Sequence, residues 1–363
     1  MLALAAMLTG CATPEAPRGP GRIMTADEGR ALLARLVPEG VSDRNGWATD
    51  IWAAIGALQI PPTVENLCAP IAIIGQESGF QVDPVVPGLS RIAHGEIERQ
   101  RERLGIPKLA LDAALELTSS NGKTYSERLN AVTTEKQLSD IYEDFIGRVP
   151  LGRTFLAESN PVHTAGPMQV NVTFAAAYAA ERPYPYPIAD SLRHELFTRR
   201  GGVYFGTAHL LDYRAPYERM IYRFADFNAG RYASRNAAFQ NAVTQLTGIP
   251  LVRDGALLRY ERGQPVAEPG STELAARIAG RRLGMSEGDV RRDLALGRDE
   301  SFQRTRLYNG VYELLERAPG AGPPRAIVPT IELKSPKITR KLTTEWFANR
   351  VEERYRRCLA RAS

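Results

Sequence analysis

The run Val64-Glu-Asn-Leu-Cys-Ala-Pro-Ile-Ala-Ile-Ile-Gly-Gln-Glu77 sets a carboxylate at the end of an apolar helix, and no other feature constrains the chain as much. Pro61-Pro62 breaks whatever precedes it, Thr63 can accept an N-cap hydrogen bond, and Gly79 can close the helix. Val64, Leu67, Cys68, Ile71, Ile74 and Ser78 form an apolar stripe along it. Glu77 follows Ile74 by three positions and Ile73 by four, at the margin of that stripe. Burial beside aliphatic groups disfavours the ionised form of a carboxyl, so a glutamate here can hold a proton near neutral pH.

Three-to-four spacing of apolar residues predicts helices over 27–36 and 44–58 as well, and residues 90–150 read as charged amphipathic helices broken at Ser119-Ser-Asn-Gly122. Residues 151–172 read as irregular. Thr173 can cap a helix over 174–180, and 191–213 predicts two helices joined near Gly201-Gly202. A helix over 236–246 follows, then a short hairpin around Asp254-Gly255. The tail, 271–363, is helical again, with Ser286-Glu-Gly-Asp289 resembling a capping box. The fold class is therefore mostly α. A length of 363 residues allows one large domain or two ordinary ones. A net charge of +5 with no Lys/Arg block gives no reason to expect a nucleic-acid partner.

The first ten residues, Met-Leu-Ala-Leu-Ala-Ala-Met-Leu-Thr-Gly, are apolar in the manner of a signal peptide. Leu8-Thr9-Gly10-Cys11 resembles a bacterial lipobox, which implies a lipid on Cys11. Pro14, Pro17, Gly19 and Pro20 then make 11–23 a tether. With Ala12 rather than aspartate after the cysteine, the lipoprotein rule points to the outer membrane. Cys68 and Cys358 remain. In an oxidising compartment they are either a disulfide, closing a loop of about 290 residues, or two separate buried thiols.

Three segments carry the chemistry. Glu77-Ser-Gly-Phe80 resembles the Glu-Ser-x-Phe signature of soluble lytic transglycosylases, which have a goose-type lysozyme-like fold. Gly166-Pro-Met-Gln-Val170 resembles their Gly-Leu-Met-Gln segment, and Asn228-Ala-Gly230 the end of their Ala-Tyr-Asn-Ala-Gly motif. The order along the chain is the family's. The resemblance implies Glu77 as general acid and then base, with Ser78, Met168, Gln169, Phe227 and Asn228 at the substrate. It also implies the substrate's N-acetyl group as nucleophile, a 1,6-anhydro product, and neither metal nor cofactor. The implied domain spans 24–250, with a helical insertion at about 85–157 and a helical C-terminal extension over 251–363 packed on the core. Two departures stand out: Phe227 replaces the family's tyrosine, and Pro167 its leucine. Tyr204, Tyr213, Tyr222 and Tyr232 are candidates for the missing hydroxyl, and Asp83, Glu158 and Asp226 for a second carboxylate.

A longer resemblance covers nearly the whole chain. Pro84-Val-Val-Pro-Gly-Leu-Ser90, Arg200-Gly-Gly202, the stretch from Asn228 to Ala242, and Ser335-Pro-Lys-Ile-Thr-Arg340 are similar to the YaiW-like family of outer-membrane lipoproteins. That family implies an envelope lipoprotein and leaves the activity open. The partners expected are peptidoglycan glycan strands, the outer membrane through Cys11, and an envelope protein. The alternative to glycan cleavage is a non-catalytic lipoprotein that binds peptidoglycan or an envelope partner on a degenerate lysozyme-like fold. The histidines His94, His163, His194 and His209 have no metal-ligand spacing. Gly201-Gly202 and Gly206 lack the strand-loop-helix setting of a phosphate loop and read instead as close helix packing.

Overall fold

The computed structural model describes residues 24–148, 160–261, 263–317, 322–333 and 340–362. The signal run, Cys11, the tether and Glu158 lie outside the described residues.

Helices dominate what is described. Three of them open the fold: α1 (Ala26–Leu36), α2 (Arg44–Ala57) and α3 (Val64–Glu77). Their starts follow from side-chain caps. Thr25 and Glu28 form a capping box, Asp43 accepts from Gly46 N, and Thr63 accepts from Asn66 N at 3.3 Å. After α3 come α4 (Leu89–Leu104), α5 (Lys108–Leu115), α6 (Tyr125–Asn130) and α7 (Glu135–Arg148). A hairpin of β1 (Thr164–Ala165) and β2 (Val170–Asn171) leads into α8 (Val172–Glu181). Asn171 caps α8, two residues before the expected Thr173, because its Oδ1 accepts from Phe174 N at 3.0 Å. The helix pair expected over 191–213 is α9 (Leu192–Leu196) and α10 (Arg199–Leu211), joined at Thr198 rather than at the glycines. Thr198 Oγ1 accepts from Gly201 N at 3.0 Å, so Gly201-Gly202 lie within the first turn of α10.

Next are α11 (Met220–Ala229) and α12 (Ala233–Thr247). The short hairpin forms at β3 (Tyr260–Glu261) and β4 (Gln264–Pro265), not around Asp254-Gly255. The Asp254 carboxylate instead accepts from Ala256 N at 2.9 Å and Gln240 Nε2 at 2.8 Å, which pins that turn to α12. Helices α13 (Ser271–Arg282), α14 (Glu287–Ala295) and α15 (Arg306–Glu316) follow, with the capping box at Ser286 and Asp289 present. The pair β5 (Glu332–Leu333) and β6 (Leu342–Thr343) precedes the last helix, α16 (Thr344–Ala362).

Two apolar cores organise these elements. The first centres on α3, whose Leu67, Ala72, Ile73 and Ile74 are fully buried among α1, α2, α10 and α16, with α11 packed on α16. Helix α16 packs into this core, where its Phe347, Ala348, Val351 and Cys358 are buried. A disulfide joins Cys68 to Cys358, with Cα atoms 5.6 Å apart. Seven residues further along α3, Gly75 meets the side chain of Arg354, so the two helices run antiparallel. The end of α3 therefore lies toward the N-terminal half of α16. The second core joins α12 to α13, α14 and α15 around Phe239, Phe302, Tyr308 and Val311.

The helical excursion after α3 has a narrow neck. Val86 N donates to Thr133 O at 2.9 Å, and Val85 bridges Thr134. Helices α4, α5 and α6 lie beyond that neck, and α4, α6 and α7 add Leu89, Ala93, Tyr125, Leu129, Leu138 and Ile141 to the first core.

Candidate active site

The three sequence segments lie on elements of the first core. Glu77 is the last residue of α3 and is half-buried, one turn after the fully buried Ile73 and Ile74. Gly79 and Phe80 then both take left-handed backbone, φ 59° and 65°. That costs a phenylalanine roughly 1 kcal/mol, and burial of the ring offsets it. The turn folds Phe80 back under α3, where it meets Trp47 edge-on at 5.3 Å. The Ser78 hydroxyl, expected at the substrate, is buried and donates to Ile74 O at 3.1 Å. It is spent on closing its own helix.

The Gly166–Gln169 segment is the tip of the β1–β2 hairpin, seated on α10. Gly166 has φ 74°, and a Cβ there would stand 2.1 Å from Leu196 O. Met168, expected to touch a sugar, is 0% exposed, and a Cβ on Gly206 would lie 2.4 Å from its sulfur. Its surface goes to α10. The glycines of α10 therefore serve close packing, as their sequence context implied. Gly206→Leu is expected to lift the hairpin off α10 and cost about 1–3 kcal/mol. Gly56→Ala, at an exposed α2 position with nothing near the added carbon, is expected to stabilise by a fraction of that. Thermal unfolding of the two variants compares them directly.

Gln169 is half-buried and left-handed, φ 51°. Its Oε1 accepts from Thr164 Oγ1 at 2.8 Å, and its Nε2 donates to Glu135 Oε2 at 3.1 Å. Glu135 opens α7, so the segment expected as an insertion reaches the hairpin tip itself. Asp83 is likewise engaged, accepting from Thr134 Oγ1 at 2.9 Å.

Asn228 is exposed at the end of α11, and its Oδ1 accepts from Thr344 Oγ1 at 3.0 Å. Thr344 is the first residue of α16, so Asn228 and the end of α3 both lie toward the N-terminal half of that helix. Phe227 packs against the His209 ring at 5.0 Å, and His209 Nε2 stands 3.3 Å from Phe227 O. Burial drives the His209 imidazole down to about 4, with Arg231 pushing the same way, so the ring is neutral at pH 7. The hydroxyl of Tyr213 goes to Asp226 and that of Tyr204 to Pro183 O.

Asp226, considered as a second carboxylate, is 0% exposed. Its oxygens accept from Ser234 N at 2.7 Å, Tyr232 N at 2.9 Å, Tyr213 Oη at 3.1 Å and the Tyr217 hydroxyl. The group caps the start of α12 from below, and no substrate reaches it there. The reason is local: the turn at 230–232 brings two backbone N–H groups over the preceding helix, where an acceptor is required.

A family described as "Protein of unknown function (DUF1615)" matches residues 40–361. The protein called "Uncharacterized protein YaiW" from Escherichia coli (strain K12) is 48% identical over 353 residues, 97% of this chain and 95% of its own. No solved structure matches.

Proposed function

We propose that this chain, which belongs to the DUF1615 family, is a lipid-anchored envelope protein of the outer membrane. In this reading it carries a lytic transglycosylase-like site on a lysozyme-like helical core. Its substrate is the glycan of peptidoglycan, and Glu77 is the acid. One observation carries the reading. Glu77 ends α3 beside fully buried isoleucines, the Gly166–Gln169 hairpin is seated on α10, which packs against α3, and Asn228 bonds Thr344 of α16, which packs along α3. Glu77 gives its proton to the glycosidic oxygen as the bond to the anomeric carbon breaks. The N-acetyl oxygen of the same sugar closes on that carbon. Glu77, now a carboxylate, takes the proton of the sugar's 6-hydroxyl as that oxygen displaces the N-acetyl group, which leaves a 1,6-anhydro end.

Digestion of purified sacculi tests this. Wild type is expected to release 1,6-anhydro muropeptides, seen by mass spectrometry, and Glu77→Gln to release them roughly 10²–10⁴-fold more slowly, the usual worth of a general acid. Product from both at one rate removes Glu77 from the chemistry.

A second reading has its own observation. The Gln169 amide is taken by Glu135, and the Asn228 carbonyl by Thr344. Polar groups already paired within the fold suit a non-catalytic protein that binds the wall or an envelope partner. In that case wild type sediments with sacculi and releases no anhydro product.

A further inference from the structure

A cavity of about 530 Å³ lies at the seam between the two cores, within the size range of small-ligand sites. Ala229, Gly230 and Arg231 form one wall, directly after the Asn-Ala-Gly segment, and the 254–258 turn with Gly297-Arg298 forms the other. Gly230 has φ 104° and open space where a side chain would begin, so the chain keeps that wall bare.

The lining is cationic and short of partners. Arg231 donates through Nη2 to Ala208 O at 2.6 Å and through Nε to His209 O at 3.2 Å, and it has no ion pair among the described residues. Asp212, the carboxylate nearest in effect, is already engaged by Tyr178 and Arg182. Arg298 is exposed and lies 3.7 Å over the Tyr260 ring, also with no ion pair among the described residues. Asp254 is the carboxylate in the lining, and Gln240 and Ala256 N hold it. His209 adds an acceptor. With Nε2 turned to Phe227 O, the neutral ring leaves Nδ1 a lone pair, and that atom is buried without a partner. Two arginines with free N–H groups fit a carboxylate, and a lone-pair nitrogen fits a hydroxyl or amide N–H.

We infer that this seam cavity binds an acidic sugar, its carboxylate between Arg231 and Arg298 and a hydroxyl or amide N–H on His209. The inference rests on the proposed peptidoglycan reading, whose muramic sugar bears a free carboxylate wherever the stem peptide has been removed. It places that group beyond the Asn228-Ala-Gly230 segment.

Calorimetric titration of the full protein with N-acetylmuramic acid, N-acetylglucosamine and acetate tests it. The carboxylate-bearing sugar is expected to bind roughly tenfold or more tightly than the neutral one, the worth of a charge-assisted hydrogen bond. Arg298→Ala removes an exposed side chain and is expected to erase that preference. Arg298→Lys, which keeps the charge without the fork, is expected to keep part of it. The inference is overturned if the two sugars bind alike or not at all, if Arg298→Ala binds as wild type, or if acetate alone binds as tightly as the acidic sugar. Glu77→Gln is expected to bind like wild type. Binding without cleavage in wild type fails the catalytic reading alone, and cleavage without this preference fails the cavity alone.

Discussion

Reduction of the Cys68–Cys358 bond is expected to lower stability by up to about 5 kcal/mol, the chain-entropy figure for a very long closed loop. The bond spans 290 residues, so the unfolded chain loses much of its freedom when it is closed. The native helices need no distortion to accommodate it, because α3 and α16 already pack along their length. In the reduced protein the buried contacts of Phe347, Ala348 and Val351 still hold α16 in place. The folded state therefore survives reduction, and the loss comes mainly from the unfolded side. A shift of this size corresponds to roughly 10 °C in Tm for a large domain. Wild type with and without reductant, beside Cys68→Ser with Cys358→Ser, is measured by calorimetry. The double variant is expected to melt with reduced wild type and to ignore reductant. Identical melting of oxidised and reduced wild type would show that the bond adds nothing. The consequence reaches the candidate site, since the bond braces the helix that ends in Glu77.

Much of the fold is legible in the sequence where local chemistry decides it. Thr63 and Gly79 bracket α3, and the structure gives Val64–Glu77. Ser286 and Asp289 start α14 as their spacing implies. The failures are of two kinds. Caps compete at short range: Asn171 starts α8 ahead of Thr173 because an amide oxygen two residues earlier already reaches Phe174 N. The β1–β2 hairpin is two residues on each strand, too short to show alternation, and it exists because Gly166, Gly202 and Gly206 let it sit on α10. The second kind is long-range pairing. Glu135 meets Gln169 across 34 positions, and Thr344 meets Asn228 across 116. Neither pairing has a local signature, so the motifs were readable while the partners that occupy their polar groups were not. Phe227 shows the same limit: its replacement of tyrosine is plain, but its seat on His209 follows only from α10 and α11 lying together.

Asp226→Ala is expected to cost about 3–5 kcal/mol, since each buried donor left without an acceptor costs about 1–3 kcal/mol. Four donors converge on this carboxylate, and alanine strands all of them: two backbone N–H groups and the hydroxyls of Tyr213 and Tyr217. Tyr217→Phe removes one donor and is expected to cost only about 0.5–1.5 kcal/mol. The two losses should not add, because once Asp226 is gone the Tyr217 hydroxyl has nothing to lose. Asp226→Asn keeps one acceptor oxygen but turns an N–H₂ toward donors, so its cost falls between. Its pH dependence separates structure from catalysis. Burial raises the Asp226 carboxyl above its ordinary range in spite of the four donors. A folded value above the unfolded one means the native state holds the proton more readily. Stability from this group is therefore fully present below about pH 4 and is lost as pH rises through the raised value, where the buried group must ionise. Wild type should show that declining step in chemical denaturation measured against pH, and Asp226→Asn should lack it. A stable, fully folded Asp226→Ala that merely loses glycan cleavage would contradict the capping role and return the residue to the active site. Because the carboxylate is sealed beneath α12 by two tyrosines, the expected order is the reverse: the fold weakens first, and activity falls only with it.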